Sequence, residues 1–339
     1  IDDYMNIVYD DLTRLSSLGI FVHDVIDNRL KKVYVTVISA NGDMPAVNKL
    51  AQNLGHNSLS YCRYCICPRD TYKSSTSNTK KTKLQQEVVN KGLDIFNNVE
   101  SLIQLMKPSE RGVVKKRSGC FSNGVFDFPL KDKSFRKKVV PLLNNQTLLP
   151  LIGFKEDTSY FNFDLSTGIA IGPILDVMHN ILEGLGQKLV SFLINYEERD
   201  FQPGMNLGKN EIIKLNKVLR CFKNSPTNFG EEITDIKKLY KAEQMLRILV
   251  MLPSLVAKTS LSDELKKIIS GLAKIVSFCF SFWIKKTEIP EITNFIEDFI
   301  SSYESYFNRV EHRHMVTVAL HELVHIPLLT VLYGQMIIF

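Results

Sequence analysis

Residues Lys31–Ala40, KKVYVTVISA, are the stretch that decides the predicted fold. The run is mostly apolar and β-branched, which is typical of a strand buried on both faces. Asn41-Gly42 ends the strand, because this dipeptide favours a turn. Asp43 then has two interpretations. It is either the N-cap of a helix with Pro45 in its first turn, or a strand-end carboxylate that holds Mg²⁺.

Outside this strand the apolar residues mostly follow helical spacing. Residues 4–19 form an amphipathic pattern that Gly19 can close. Later helical patterns cover 173–195, 209–222, 233–256, 260–286, 291–308 and 311–337. The predicted fold class is therefore α/β, with a small α/β part at the beginning, an irregular middle and a mainly α-helical second half.

The composition excludes several classes of protein. The chain has 339 residues, of which 45% are hydrophobic and 23% are charged, the ordinary balance of a globular protein. This excludes a disordered chain, a collagen-like fibre and a disulfide-rich mini-protein. We also expect no membrane partner, since no apolar run reaches the roughly 18 residues that a spanning helix needs. Six cysteines in this length suggest a reducing compartment.

Positive charge is concentrated in the middle of the chain. Residues 60–140 contain 17 Lys or Arg and 7 Asp or Glu, a balance of +10 where the whole chain has +6. Such a block suggests a polyanion, with nucleic acid first, although a solvated lysine-rich loop would look the same. The basic segments are 69–92, 107–117 and 131–138. The candidate contacts to a DNA backbone are Lys80, Lys81, Lys83, Lys115, Lys116 and Arg117.

Two short motifs have the spacing of metal ligands. Cys62-x-x-Cys65 can hold one tetrahedral metal from a turn, but alone it is half a site and leaves a redox pair or buried cysteines open. His321 and His325 lie at i and i+4 in a predicted helix, where they can bind one zinc ion or simply pack. Together the two pairs complete a Cys₂His₂ structural site, which would join the α/β part to the C-terminal helix.

The sequence HELVH, residues 321–325, also matches the HExxH pattern of zinc proteases, with Glu322 as general base. Two features weigh against a protease. No Asp, Glu, His or Cys follows His325 as a third ligand within this chain. Pro327 would also strain the helix just beyond the motif.

A further polar group follows Pro173. Asp176, His179, Asn180 and Glu183 have offsets that place them on one face of an α-helix. Such an acid–histidine stripe suits a metal or a buried hydrogen-bond network, and the alternative is an exposed polar face.

The order of these motifs resembles a known family. Gly42-Asp43-Met44-Pro45-Ala46, Gly55-His56, Cys62-x-x-Cys65, Asp176-x-Met178-His179-Asn180 and His321-x-x-x-His325 together are similar to the DDE/D transposases of the CACTA and Plavaka type. The resemblance covers most of the chain. Each motif alone is weak, and their common order makes the resemblance more specific.

The resemblance implies a partial RNase H-like core with a large, mainly helical insertion. The implied divisions are a core over 1–68, a basic insertion over 69–150, a helical insertion over 151–310 and an HxxxH helix over 311–339. Asp43 would be the second catalytic acid, and the first and last acids are expected outside these residues. The chain would therefore be a fragment cut at both ends and inactive alone. The resemblance gives Asp176, His179 and Asn180 no defined role.

The activity implied is DNA cleavage and strand transfer by two Mg²⁺ or Mn²⁺ ions, with a structural Zn²⁺ at Cys62, Cys65, His321 and His325. The implied partner is DNA at transposon ends, in the nucleus, with a homodimer as one implied assembly. The alternatives are a domesticated, non-catalytic zinc-containing DNA-binding protein and, further away, the zinc protease.

Overall fold

The structure is a computed structural model that describes residues 2–35, 62–65, 175–194, 203–221, 241–281, 283–307, 312 and 315–333. The chain divides into two compact units, residues 1–116 with 125–174 and residues 117–124 with 175–339. The described residues are mostly helical and contain one sheet of two strands. The RNase H-like arrangement stays a prediction. None of the described helices is long and apolar enough to cross a membrane.

Residues 2–35 of the first unit form a helix followed by a hairpin. Helix α1 spans Asp2–Ser17, and Gly19 follows it with a φ of +69°, the left-handed conformation that glycine adopts easily. Strands β1 (Ile20–Asp24) and β2 (Arg29–Val33) pair antiparallel, with Ile20 opposite Val33. In the turn, the Asp24 carboxylate accepts hydrogen bonds from the backbone N–H groups of Ile26 and Asp27.

Strand β2 corrects the prediction of a strand buried on both faces. It ends at Val33 and is exposed apart from the half-buried Lys31, which forms ion pairs with Asp24 and Asp27. The physical reason is its composition, because Arg29, Lys31 and Lys32 must keep their charged ends in water. Residues 36–43, including Asp43, lie outside the described residues.

The described part of the second unit is helical, as predicted. The chain forms a π-helix (Val177–Gly186) continued by α2 (Gln187–Ile194), then α3 (Lys209–Cys221), α4 (Ala242–Val256), α5 (Asp263–Cys279), α6 (Ile289–Phe307), α7 (Val318–Glu322), a 3₁₀ turn (Leu323–His325) and α8 (Ile326–Tyr333).

Helices α4, α5 and α6 pack against one another in sequence order. Ser262 caps α5, since its hydroxyl accepts a hydrogen bond from the N–H of Leu265. Gly271 of α5 faces Phe299 of α6, and a Cβ at that glycine would lie 2.6 Å from Phe299 Cδ2. Glycine therefore sets how closely these two helices approach.

The π-helix and α2 present a continuous apolar side to the core. Ile181, Leu185 and Leu189 are fully buried. Gly186 allows close contact with α4, because a Cβ there would lie 2.6 Å from Leu249 Cδ1. This packing places the π-helix next to α7 as well, where Gly184 faces Ala319.

Candidate metal centre

The segment Cys62–Cys65 is buried, and neither of its cysteines forms a disulfide bond among the described residues. The Sγ of Cys62 accepts a hydrogen bond from the backbone N–H of Tyr64, with a distance of 3.4 Å between the two atoms. Hydrogen bonds of this kind orient a metal ligand and support its thiolate form. The turn therefore presents two thiols from a fixed backbone.

The two histidines lie on either side of a change in helical winding. His321 belongs to α7, whereas His325 ends the 3₁₀ turn. Pro327 explains this change. It has no N–H to donate to the carbonyl of Leu323, four residues earlier, and its ring crowds that carbonyl. The carbonyl accepts instead from the N–H of Ile326, the i+3 bond of a 3₁₀ turn.

Cys62, Cys65, His321 and His325 come together in one buried group. Their ligand atoms, two sulfurs and two imidazole nitrogens, all lie within 4.8 Å of one another. The predicted convergence of the two pairs is therefore confirmed. A tetrahedral zinc ion requires ligand separations of about 3–4 Å, given Zn–S of about 2.3 Å and Zn–N of about 2.0 Å. The ligand atoms of this group lie up to 4.8 Å apart, which is about 1 Å more than the separations that zinc requires.

The chemistry of these donors fits zinc. Two thiolates with two imidazoles are a tetrahedral structural set, and four protein ligands leave no position for substrate. All four side chains are buried: the cysteines are 0% exposed, His321 is 1% and His325 is 4% exposed. The residues would thus hold a metal that stabilises the fold.

Glu322 contradicts the geometry expected of a protease base. Its side chain is 1% exposed, and its Oε2 accepts a hydrogen bond from Nδ2 of Asn180 on the π-helix. A general base needs access to water and to the substrate. The arrangement of Glu322 and the four ligands therefore favours a closed structural site over a hydrolytic one.

The stripe Asp176, His179, Asn180 and Glu183 does not share one face, which corrects the prediction. Asn180 is buried, whereas His179 and Glu183 are exposed. The reason is the π-helix, whose i to i+5 hydrogen bonds widen each turn and change which residues align. The His179 Nε2 lies 3.9 Å from a Glu183 carboxylate oxygen.

Asp176 begins the π-helix. One of its carboxylate oxygens accepts from the backbone N–H of His179 at 3.0 Å, and the other lies 2.6 Å from His179 Nδ1. The side chain therefore acts as an N-cap and also orients the imidazole. The pairing of Asn180 with Glu322 was missed at the sequence level, since no pattern links positions 142 residues apart.

The remaining predicted site residues lie outside the described part of the chain. They are the predicted catalytic residue Asp43 and the DNA-backbone candidates Lys80, Lys81, Lys83, Lys115, Lys116 and Arg117. The predicted Mg²⁺ or Mn²⁺ site and the DNA surface therefore stay predictions.

Comparison with known proteins identifies no family for this chain. No protein-family model matches the sequence, and neither a curated protein nor a solved structure matches the chain.

Proposed function

We propose that this chain is a DNA-binding protein of the CACTA/Plavaka-type DDE/D transposase class, stabilised by a structural zinc ion. The observation that carries the proposal is the buried group of Cys62, Cys65, His321 and His325. The chemistry of each pair and the family resemblance both lead to the same four residues. Sequence spacing alone does not require this convergence, because 256 positions separate Cys65 from His321.

DNA is the partner that the charge distribution supports. The balance of +10 over residues 60–140 suits the phosphate backbone, which such segments contact without reading base sequence. A nuclear location is part of the same proposal. An RNase H-like arrangement around Asp43, with Mg²⁺ or Mn²⁺, belongs to the same proposal.

DNA binding is the activity that we propose for this chain. Two-metal phosphoryl transfer requires several carboxylates to hold the two ions. Asp43 is the one residue of this sequence that the resemblance assigns to that set. The alternative, a domesticated and non-catalytic protein, also predicts that this chain binds DNA. Both hypotheses include the structural zinc ion.

Salt-dependent binding to duplex DNA tests the proposal. We expect the zinc-loaded chain to bind unrelated duplexes with similar affinity, and with a strong loss of affinity as salt rises. Changing Lys80, Lys81 and Lys83 to Gln should weaken binding to all duplexes and flatten the salt dependence, by about 0.9 in log–log slope per lost phosphate contact.

The matched control changes the exposed lysines Lys209, Lys214 and Lys217 of α3 to Gln, which removes the same net charge from a helix outside the basic block. If the two triple variants weaken DNA binding equally, the affinity depends only on net charge and not on the basic block, and this would contradict the proposal. A peptidase activity that Glu322→Gln abolishes would overturn it in favour of the protease.

A further inference from the structure

The hydrogen bond between Asn180 and Glu322 is buried on both sides. Asn180 is 2% exposed and Glu322 is 1% exposed, and the amide Nδ2 donates to the carboxylate Oε2. A buried carboxylate depends strongly on its donors, because leaving it without one exposes it to the full desolvation penalty. This contact therefore contributes to holding the Glu322 side chain in position.

The start of the π-helix places Asn180 at this contact. Asp176 caps the helix, and the N–H of Asn180 bonds to the carbonyl of Asp176 at 2.9 Å. His179 is consequently directed outward and Asn180 inward. Gly184 then lies beside α7, since a Cβ at its position would be in ordinary van der Waals contact, 3.7 Å, with the Cβ of Ala319.

The two histidines need such a support. In a continuous α-helix, residues at i and i+4 lie on one face by geometry alone. Here a 3₁₀ turn of three residues per helical turn intervenes between His321 and His325, so their alignment depends on how this joint is held. Glu322 is the residue at the joint, because it ends α7 and precedes the 3₁₀ turn.

We propose that Asn180 is a positioning residue of the metal centre, and that it aligns His321 and His325 by holding the Glu322 carboxylate. The inference rests on the proposed Cys₂His₂ centre. It also gives a physical role to the Asp176-x-Met178-His179-Asn180 motif. The motif builds the turn that presents Asn180 to the metal-binding segment.

Metal affinity and ligand geometry test this role. Zinc affinity is measured on the full chain by competition with a chromophoric chelator, and geometry by the visible absorption of bound Co²⁺. Asn180→Leu should weaken zinc binding by about tenfold to a hundredfold, the usual effect of removing a group that orients a metal ligand. It should also shift the Co²⁺ bands. Glu322→Gln keeps an acceptor for Asn180 and should bind zinc nearly as the unmodified chain does.

A double-mutant cycle isolates the contact. In a Glu322→Met background there is no carboxylate to hold, so Asn180→Leu should change zinc affinity by less than about threefold. Asn206→Leu is the matched control. Asn206 is 4% exposed, and its amide donates to the carbonyl of Phe192 at 2.7 Å. This control should lower stability and leave zinc affinity and the Co²⁺ spectrum unchanged.

Two results would overturn the proposal in distinguishable ways. If Asn180→Leu and Asn206→Leu both lower stability but neither changes zinc affinity or the Co²⁺ bands, Asn180 is merely a core residue. If the unmodified chain gives no Co²⁺ bands typical of thiolate ligands, the metal centre itself fails before any variant is tested. Asn180→Ser, which is smaller and keeps a hydroxyl, replaces the leucine variant if that variant does not fold.

Discussion

The imidazole rings of His321 and His325 stand at 77° to one another, and their centroids are 5.3 Å apart. Nearly perpendicular rings at this distance can each direct one nitrogen to a common point. The cysteine pair reaches the same point from a separate, buried turn. This convergence makes the candidate metal centre a property of the folded chain, so we expect metal binding and folding to be coupled.

Loss of any one ligand should destabilise the chain to a similar degree. Cys62→Ser and His325→Ala should each remove most of the stabilisation by zinc, which is about 4 kcal/mol when free zinc is 1,000 times its dissociation constant. Chemical denaturation with and without zinc measures this. Glu322→Gln should cost little, and the exposed Cys221→Ser is the control. A dispensable Cys62 together with an essential Glu322 would contradict the prediction.

The four described cysteines should differ in their reaction with iodoacetamide. Cys221 is exposed and should react first. Cys62 and Cys65 should become reactive only after a chelator removes zinc. Cys279 should stay unmodified in the folded chain, because burial raises its pKa to about 12 and thiolate is the reactive form. Peptide mass spectrometry reads each site, and rapid labelling of Cys62 in zinc-loaded protein would count against the metal centre.

Gly271→Ala should destabilise the second unit. The new Cβ would lie 2.6 Å from Phe299 Cδ2, and such overpacking costs about 1–3 kcal/mol. The gain in helix propensity, about 1 kcal/mol, offsets only part of that cost. Thermal unfolding measures the balance. Phe299→Leu in the alanine background should recover stability, and Ser270→Ala, at an exposed neighbouring position, should show no loss. A more stable Gly271→Ala variant would show that the helices can separate freely.

Glu211 should make the stability of the second unit depend on pH. Burial raises the pKa of its carboxyl. Hydrogen bonds from the backbone of Gly208 and from Ser260, together with the charge of Lys214, lower this pKa by more than burial raises it. The pKa of Glu211 in the folded chain is therefore below its ordinary value of 4.5. A lowered folded-state pKa contributes stability above about pH 4.5, and this contribution is lost as pH falls through the folded value.

Glu211→Gln should therefore be less stable than the unmodified chain at neutral pH, and the difference should vanish in acid. Denaturation at several pH values measures it. The control is Glu264→Gln, which removes one exposed carboxylate from α5. A constant difference between Glu211→Gln and the unmodified chain at all pH values would show that the carboxylate charge does not matter.

The spacing of residues was sufficient to predict that the described part of the second unit is helical, and that Cys62, Cys65, His321 and His325 are candidate metal ligands. Helical periodicity is local, so 209–222 became α3 over Lys209–Cys221. The metal pairs were predictable for a different reason, because each of them had the spacing of half a tetrahedral site and lacked its own completion.

Tertiary structure decided what local patterns could not express. The prediction of a doubly buried strand was wrong for residues 31–35, the described part of Lys31–Ala40, because charged residues keep β2 exposed there. Asn180 turned inward because a π-helix winds more widely than the α-helix that spacing suggested. Its contact with Glu322 joins residues that are distant in the chain. Residue spacing indicated which cysteines and histidines are candidate metal ligands. The packing of the π-helix against α7 decided that Glu322, the acid between the two histidines, is buried and accepts a hydrogen bond from the Asn180 amide. This contact joins residues that are distant in the sequence, so sequence periodicity could not predict it.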